Sequence, residues 1–214
     1  MKKDKFVTYR IILLPNKLVS ELAKQLANEV STKGDIYFKI DNKINFAHIT
    51  IYKVEFPTKN ERKFFSLLRS IVKNTTPFEL QFNKLYSERG WVGLDFKKGS
   101  QLYSIHKKVL KIINPLREGH ISEKHRIELK DSNRFPGRQR EYIKAFGYPQ
   151  VMTEYHPHLT FLRFKDEKTA EKIQKEYNQK GISIAKGIIS GIAVVTGGEH
   201  GTVNKFVKKF MFKV

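Results

Sequence analysis

The chain has 214 residues, 40% hydrophobic and 29% charged, with 41 Lys and Arg against 21 Asp and Glu and a formal net charge of +20. That length buries a core without covalent staples, and the lack of cysteine excludes disulfides, a thiol nucleophile and every cysteine-ligated metal site. The excess charge attracts polyanions, nucleic acid foremost, although a lysine-rich solvated surface gives the same balance.

The N-terminus starts basic, but its apolar run at 11–14 is too short for a leader peptide or a membrane span. A cytoplasmic protein without membrane attachment, acting as a monomer, is expected. Residues 7–15 predict a strand closed by Pro15, and Asn16 caps a helix over 17–30 with Leu18, Leu22, Leu26 and Val30 as its apolar stripe. Gly34 ends that segment, and 35–41 alternates as a short strand. A longer strand follows at 45–56, ended by Pro57. Thr58 then caps a helix whose Phe64, Phe65, Leu67, Leu68, Ile71 and Val72 form one face. Residues 78–82 and 91–96 alternate about a turn at 87–90, predicting a hairpin. Ser100 opens another helix, with Leu102, Ile105, Val109, Ile112 and Ile113 inward.

Residues 117–137 are charged and aperiodic, which predicts a surface loop; a short helix at 138–146 ends at Gly147. The stretch 117–150 therefore reads as an insertion or an enlarged loop-helix segment. A strand at 156–164 leads through Asp166 into a helix at 167–179, stopped by Gly181. Two strands, 186–196 and 202–212, close the chain about the turn 197–201.

Two of these strands carry the same pattern: Phe46-Ala47-His48-Ile49-Thr50-Ile51-Tyr52 and His156-Pro157-His158-Leu159-Thr160-Phe161-Leu162. Four of the seven histidines, at 48, 120, 158 and 200, are followed two residues later by Ser or Thr, so the bare tripeptide says little. His120 sits in a charged stretch and His200 in a turn, and both read as surface residues. Only His48 and His158 lie in apolar alternation that runs into a helix. Period two puts His48 and Thr50 on one face, and His158 and Thr160 likewise. The order strand, helix, hairpin follows each motif, which reads as an internal duplication related by a pseudo-twofold. Two facing strands then offer two imidazoles and two hydroxyls to one substrate, the equipment for cleaving a phosphodiester.

In-line opening of a phosphodiester needs a base for the attacking water and an acid for the leaving oxygen, and imidazole serves as either near neutrality. Thr50 and Thr160 hydroxyls can donate to the nonbridging oxygens. Arg163 could hold phosphate, but strict alternation puts it opposite His158 unless the strand bulges. Tyr52 shares the His48 face and either stacks on a base or packs. Trp91 is open to core or stacking roles. His156 with His158 could suggest a metal, which Pro157 and the lack of further ligands disfavour; no metal and no cofactor is expected. His106 reads as a helix-surface residue and His125 as a loop residue.

At these positions the chain resembles the two-histidine (2H) phosphoesterase superfamily, and residues 156–163 resemble the second motif of its 2'-5' RNA ligase/cyclic phosphodiesterase group. The strand at 9–15 is similar to the family's opening strand. The resemblance implies an α+β fold over 1–214, a single bilobal domain with antiparallel sheets lining a central groove and helices outside. It also implies His48 and His158 as the catalytic pair, Thr50 and Thr160 as phosphate holders, and an RNA or nucleotide substrate. The expected function is metal-independent hydrolysis of a cyclic (2',3'-type) or 2'-5' phosphodiester. RNA ligation by the same residues and RNA binding without catalysis are the alternatives.

Overall fold

Asn16 ends one element and begins the next: its side chain accepts from the Val19 amide, closing β1 (Phe6–Pro15) and capping α1 (Lys17–Val30). The computed structural model describes residues 5–41, 43–131, 133–182 and 187–213. The basic start at 1–4 and the expected strand start at 186 lie outside them. The remaining elements are β2 (Ile36–Lys39), β3 (Ile49–Pro57), α2 (Glu61–Lys73), β4 (Phe78–Leu80), β5 (Phe82–Glu88), β6 (Trp91–Phe96), α3 (Ser100–Ile113), α4 (Glu123–Glu128), α5 (Gly137–Phe146), β7 (His158–Phe164), α6 (Glu167–Lys180), β8 (Gly187–Gly197) and β9 (Val203–Met211).

The strands form two antiparallel sheets, so the fold is α+β as expected. The first runs β3-β1-β8-β4 with β9 also on β8; the second runs β2-β7-β6-β5. Ile11, Leu13, Ile49, Leu94, Leu159 and Ile192 are fully buried in the main core with α1, α2, α3 and α6. Among the described residues no helix is long and apolar enough to cross a membrane.

Several expectations shift. Leu18 is 62% exposed, and α1 buries Val19 and Ala23 with Leu26 and Val30 instead. Thr58 starts a 3-10 turn, and α2 begins three residues later without a side-chain cap. The hairpin's first strand is 82–88, because 78–80 pairs with β8 in the other sheet. Its turn holds Arg89 and Gly90, both at positive φ, the two-residue geometry that matches strand twist. The aperiodic 117–137 stretch contains α4, capped by Ser122 accepting from the His125 amide. Helix α4 has only 6 residues, too short for a periodicity to register.

Candidate active site

His48 precedes β3 by one residue and His158 opens β7. Each ring is held in the same way. His48 Nδ1–H donates to the Phe46 carbonyl at 2.9 Å, and His158 Nδ1–H to the His156 carbonyl at 2.8 Å. A carbonyl only accepts, so the proton of each neutral ring sits on Nδ1 and each Nε2 carries the lone pair. Both rings line one cavity of about 530 Å³, together with Thr50 and Thr160. Desolvation pushes both imidazoles down to about 4; Arg10 adds to this at His48, and His156 and His48 add to it at His158. Both rings are therefore neutral at pH 7.

After each threonine the strand departs from simple alternation. Ile12 pairs with Thr50 while Ile11 pairs with Tyr52, so Ile51 is an extra residue; Gly93 pairs with Thr160 while Val92 pairs with Leu162, so Phe161 is another. These matched bulges reset the faces. Tyr52 turns inward: it is fully buried, with its hydroxyl donating to the Phe146 carbonyl and lying 3.2 Å from Asn114 Oδ1, and it does not line the cavity. The substrate-binding role expected for Tyr52 is therefore withdrawn. Lys53 takes that face instead, paired with Arg10, and Arg163 comes round to the His158 face. The two segments read His-x-Thr-x-x-Lys and His-x-Thr-x-x-Arg. Two consecutive apolar residues before a basic one, Ile51-Tyr52 and Phe161-Leu162, are the sequence signal for this.

Arg163 is locked. Its guanidinium lies 4.9 Å from the Tyr37 ring centre and 4.5 Å from that of Trp91, and Nη1–H donates to His200 Nδ1 at 2.7 Å. His200 in turn stacks on Tyr37 at 4.6 Å. His200 is thus a cavity residue rather than a free surface one, although it does sit in a turn. His125 also lines the cavity, on α4 beside Lys124 and Glu128. His120 packs against Phe6 at 3.8 Å and lies 3.3 Å from Glu55. His106 is not on a surface at all, being fully buried on α3.

His156 Nε2–H donates to Asp95 at 2.7 Å, and Asn83 donates to the other carboxylate oxygen at 2.7 Å. Burial would raise the Asp95 carboxyl, but these two bonds outweigh it and hold it below the usual range. His156 therefore braces the His158 loop from a fixed anchor. Arg10, Lys53 and Lys124 crowd the far wall; burial and mutual repulsion lower Lys53, with Glu55 and Glu128 as partial compensation. Such a wall favours a bound anion.

Tyr86 hydrogen-bonds Thr160 Oγ1 and sets its ring edge-on to His158 at 4.8 Å. Only glycine at 93 permits this, since a Cβ there would sit 2.4 Å from the Tyr86 ring and from the Leu159 carbonyl. A Tyr86 hydroxyl that donates leaves the Thr160 hydrogen free for the cavity. Tyr86→Phe is expected to lower kcat/KM about tenfold, with an unchanged melting temperature; steady-state assays beside a thermal melt check both.

Residues 19–199 match the family described as the 2'-5' RNA ligase superfamily, well over half of the chain. The chain belongs to that superfamily. It is a family of two-histidine phosphoesterases and ligases. Solved structures share the fold at low identity. TT0787 of Thermus thermophilus is 13% identical with a TM-score of 0.54, covering 96% of this chain and 98% of that one. Escherichia coli LigT complexed with 3'-AMP is 12% identical with a TM-score of 0.52, covering 98% and 100%. A structure described as a phosphoesterase, for which no organism is named, is 12% identical with a TM-score of 0.51, covering 99% and 100%. No curated protein sequence matches significantly.

Proposed function

We propose that this member of the superfamily is a metal-independent phosphoesterase that hydrolyses a cyclic (2',3'-type) or 2'-5' phosphodiester of a nucleotide or RNA. The observation that carries this is the matched pair of imidazoles, each pinned through Nδ1 to a carbonyl two residues upstream, which leaves the lone pair on Nε2, and both lining the same cavity.

A phosphodiester settles against Arg163, Lys53 and Arg10, and its negative charge raises the proton affinity of the nearer imidazoles. One imidazole takes up a proton at Nε2. The other, still neutral, accepts a proton at Nε2 from water as the new O–P bond forms. The bond from phosphorus to the leaving ribose oxygen breaks, and the protonated imidazole gives that oxygen its proton. Thr50 and Thr160 hydroxyls donate to the nonbridging oxygens, where charge builds up. Threonine suits this because its branched Cβ leaves few rotamers. The products are a phosphomonoester and a free hydroxyl, with the two histidines' protonation states exchanged. LigT, which shares the fold, holds 3'-AMP, a phosphomonoester of the kind this reaction would release.

The test is a panel of nucleoside 2',3'-cyclic phosphates, 2'-5' oligoadenylate, cyclic dinucleotides and RNA with a 2',3'-cyclic end, resolved by chromatography. Turnover of a cyclic or 2'-5' member, at a rate EDTA does not change, is expected. No turnover of any member would leave an RNA-binding protein. Loss of turnover on chelation, restored by a divalent cation, would place the chemistry on a metal.

A further inference from the structure

The face of the first sheet that carries Thr50 does not end at the cavity. Paired residues share a face, so strand register extends it in two rows: Thr50–Ile12–Ala193–Lys209 and Lys53–Arg10–Val195–Phe206. A further register shift on β9 skips Val207 and brings Phe206 and Lys209 to that one face. Beneath Phe206 lies a small apolar cluster of Ile12, Ala193, Val195 and Val203 that is separate from the main core. The Phe206 ring is half-buried, meets Phe46 edge-on at 5.0 Å, and has Lys209 Nζ 4.1 Å from its centre. Phe46 lines the cavity, and its carbonyl holds His48. An aromatic step and a cation thus continue directly from the residue that pins a catalytic imidazole. Strand β9 has three lysines and no acidic residue, so nothing along it repels a polyanion.

We propose that a single-stranded RNA, with its terminal phosphate between His48 and His158, continues over this face, stacking a base on Phe206 and placing a phosphate on Lys209. The proposal rests on the reading of the cavity as an RNA or nucleotide phosphoesterase site. It adds that the preferred substrate is a chain end rather than a free nucleotide. Flat rings accept any base and a lysine accepts any phosphate, so the track serves single strands without sequence preference. Neither residue contacts the catalytic histidines in this arrangement, so a mononucleotide does not sense them.

The experiment measures binding and needs no turnover. A 5'-labelled tetranucleotide RNA with a 3'-phosphate is titrated by fluorescence anisotropy, and 3'-AMP by calorimetry. The proteins are the wild type and Phe206→Leu/Lys209→Gln, in which leucine keeps the cover over the apolar cluster. The double variant is expected to weaken the tetranucleotide about tenfold and to flatten its log–log salt dependence by about one unit, with 3'-AMP affinity unchanged. Equal tetranucleotide affinity in the two proteins would overturn the track. So would a wild type that binds 3'-AMP as tightly as the tetranucleotide, or equal weakening of both ligands. Failure of the hydrolytic reading shows elsewhere, as absent turnover of nucleoside 2',3'-cyclic phosphates by a wild type that still prefers the tetranucleotide.

Discussion

Replacing either His48 or His158 by alanine is expected to lower kcat about 10³-fold, the weight of one general acid or base, while the protein stays folded. Both rings line the cavity, so truncating them removes one carbonyl hydrogen bond each and, at His158, the edge contact with Tyr86, while the apolar core stays intact. The double variant should fall little further than either single one, because an acid without its base has no complete reaction to serve. Full turnover in either single variant would sink the mechanism. Acidity gives a second reading of the same pair. Burial pushes both imidazoles down to about 4, so above that pH the free enzyme lacks the proton that the acid must carry. The profile of kcat/KM should be bell-shaped with its maximum on the acid side of neutrality, rising as pH falls from 8 towards 5. Bound phosphate raises the same groups, so the alkaline limb of kcat should lie at higher pH than that of kcat/KM. A kcat/KM that stays flat from pH 5 to 8 would exclude imidazole acid–base catalysis here.

His106 produces the other large effect, on stability. Its Nδ1–H donates to the Ile51 carbonyl on β3 at 3.1 Å, and its Nε2 accepts from the Met152 amide at 3.0 Å just ahead of the His158 strand. Tyr155 stacks on the ring at 3.8 Å with an interplanar angle of 4°. The ring ties together the approaches to both motifs and does so only when neutral. His106→Leu would strand a buried amide and a buried carbonyl and should cost about 3 kcal/mol, read by urea denaturation. Burial lowers His106 to about 4. The unfolded chain takes up a proton near pH 6.5 that the folded chain refuses, so stability is level above that pH and falls as pH drops towards 4. About 3 kcal/mol is expected to disappear across that window from His106 alone. The leucine variant, already less stable, should show a shallower acid slope. A wild type whose stability is the same at pH 7 and pH 4.5 would refute this account.

Periodicity revealed the elements wherever burial is one-sided. The segments β1, β3 and β7 could be placed from alternation, and α1 and α6 from Asn16 and Asp166, whose side chains do accept the amides a cap should. What escaped depends on partners distant in sequence. A bulge is defined by the strand opposite, so Tyr52 could be assigned to the groove only by counting in twos. The two apolar residues after each threonine were the visible trace of the shift. His106 falls with Leu102, Val109 and Ile113 on the face that α3 buries, so its interior place was legible from helical spacing; its partners, Tyr155 and the 152–154 turn, were not. His200 looked like a turn residue and is one, yet the turn folds back over Arg163. Charge signalled an anion but not its place, because only register brings Arg10 beside Lys53.

The order of strands has a consequence for how the molecule comes into being. Strand β7 lies between β2 and β6, and β8 between β1 and β4. The C-terminal part of the chain thus supplies interior strands to both sheets, and everything before residue 158 leaves two open slots with unpaired edges. A nascent chain on the ribosome cannot close either sheet until its last quarter has emerged. Folding is therefore a late, long-range event, slow by topology and exposed to wrong edge pairing while it waits. The two histidines meet only once β7 and β8 are in place, so no product that ends before them carries a working cavity.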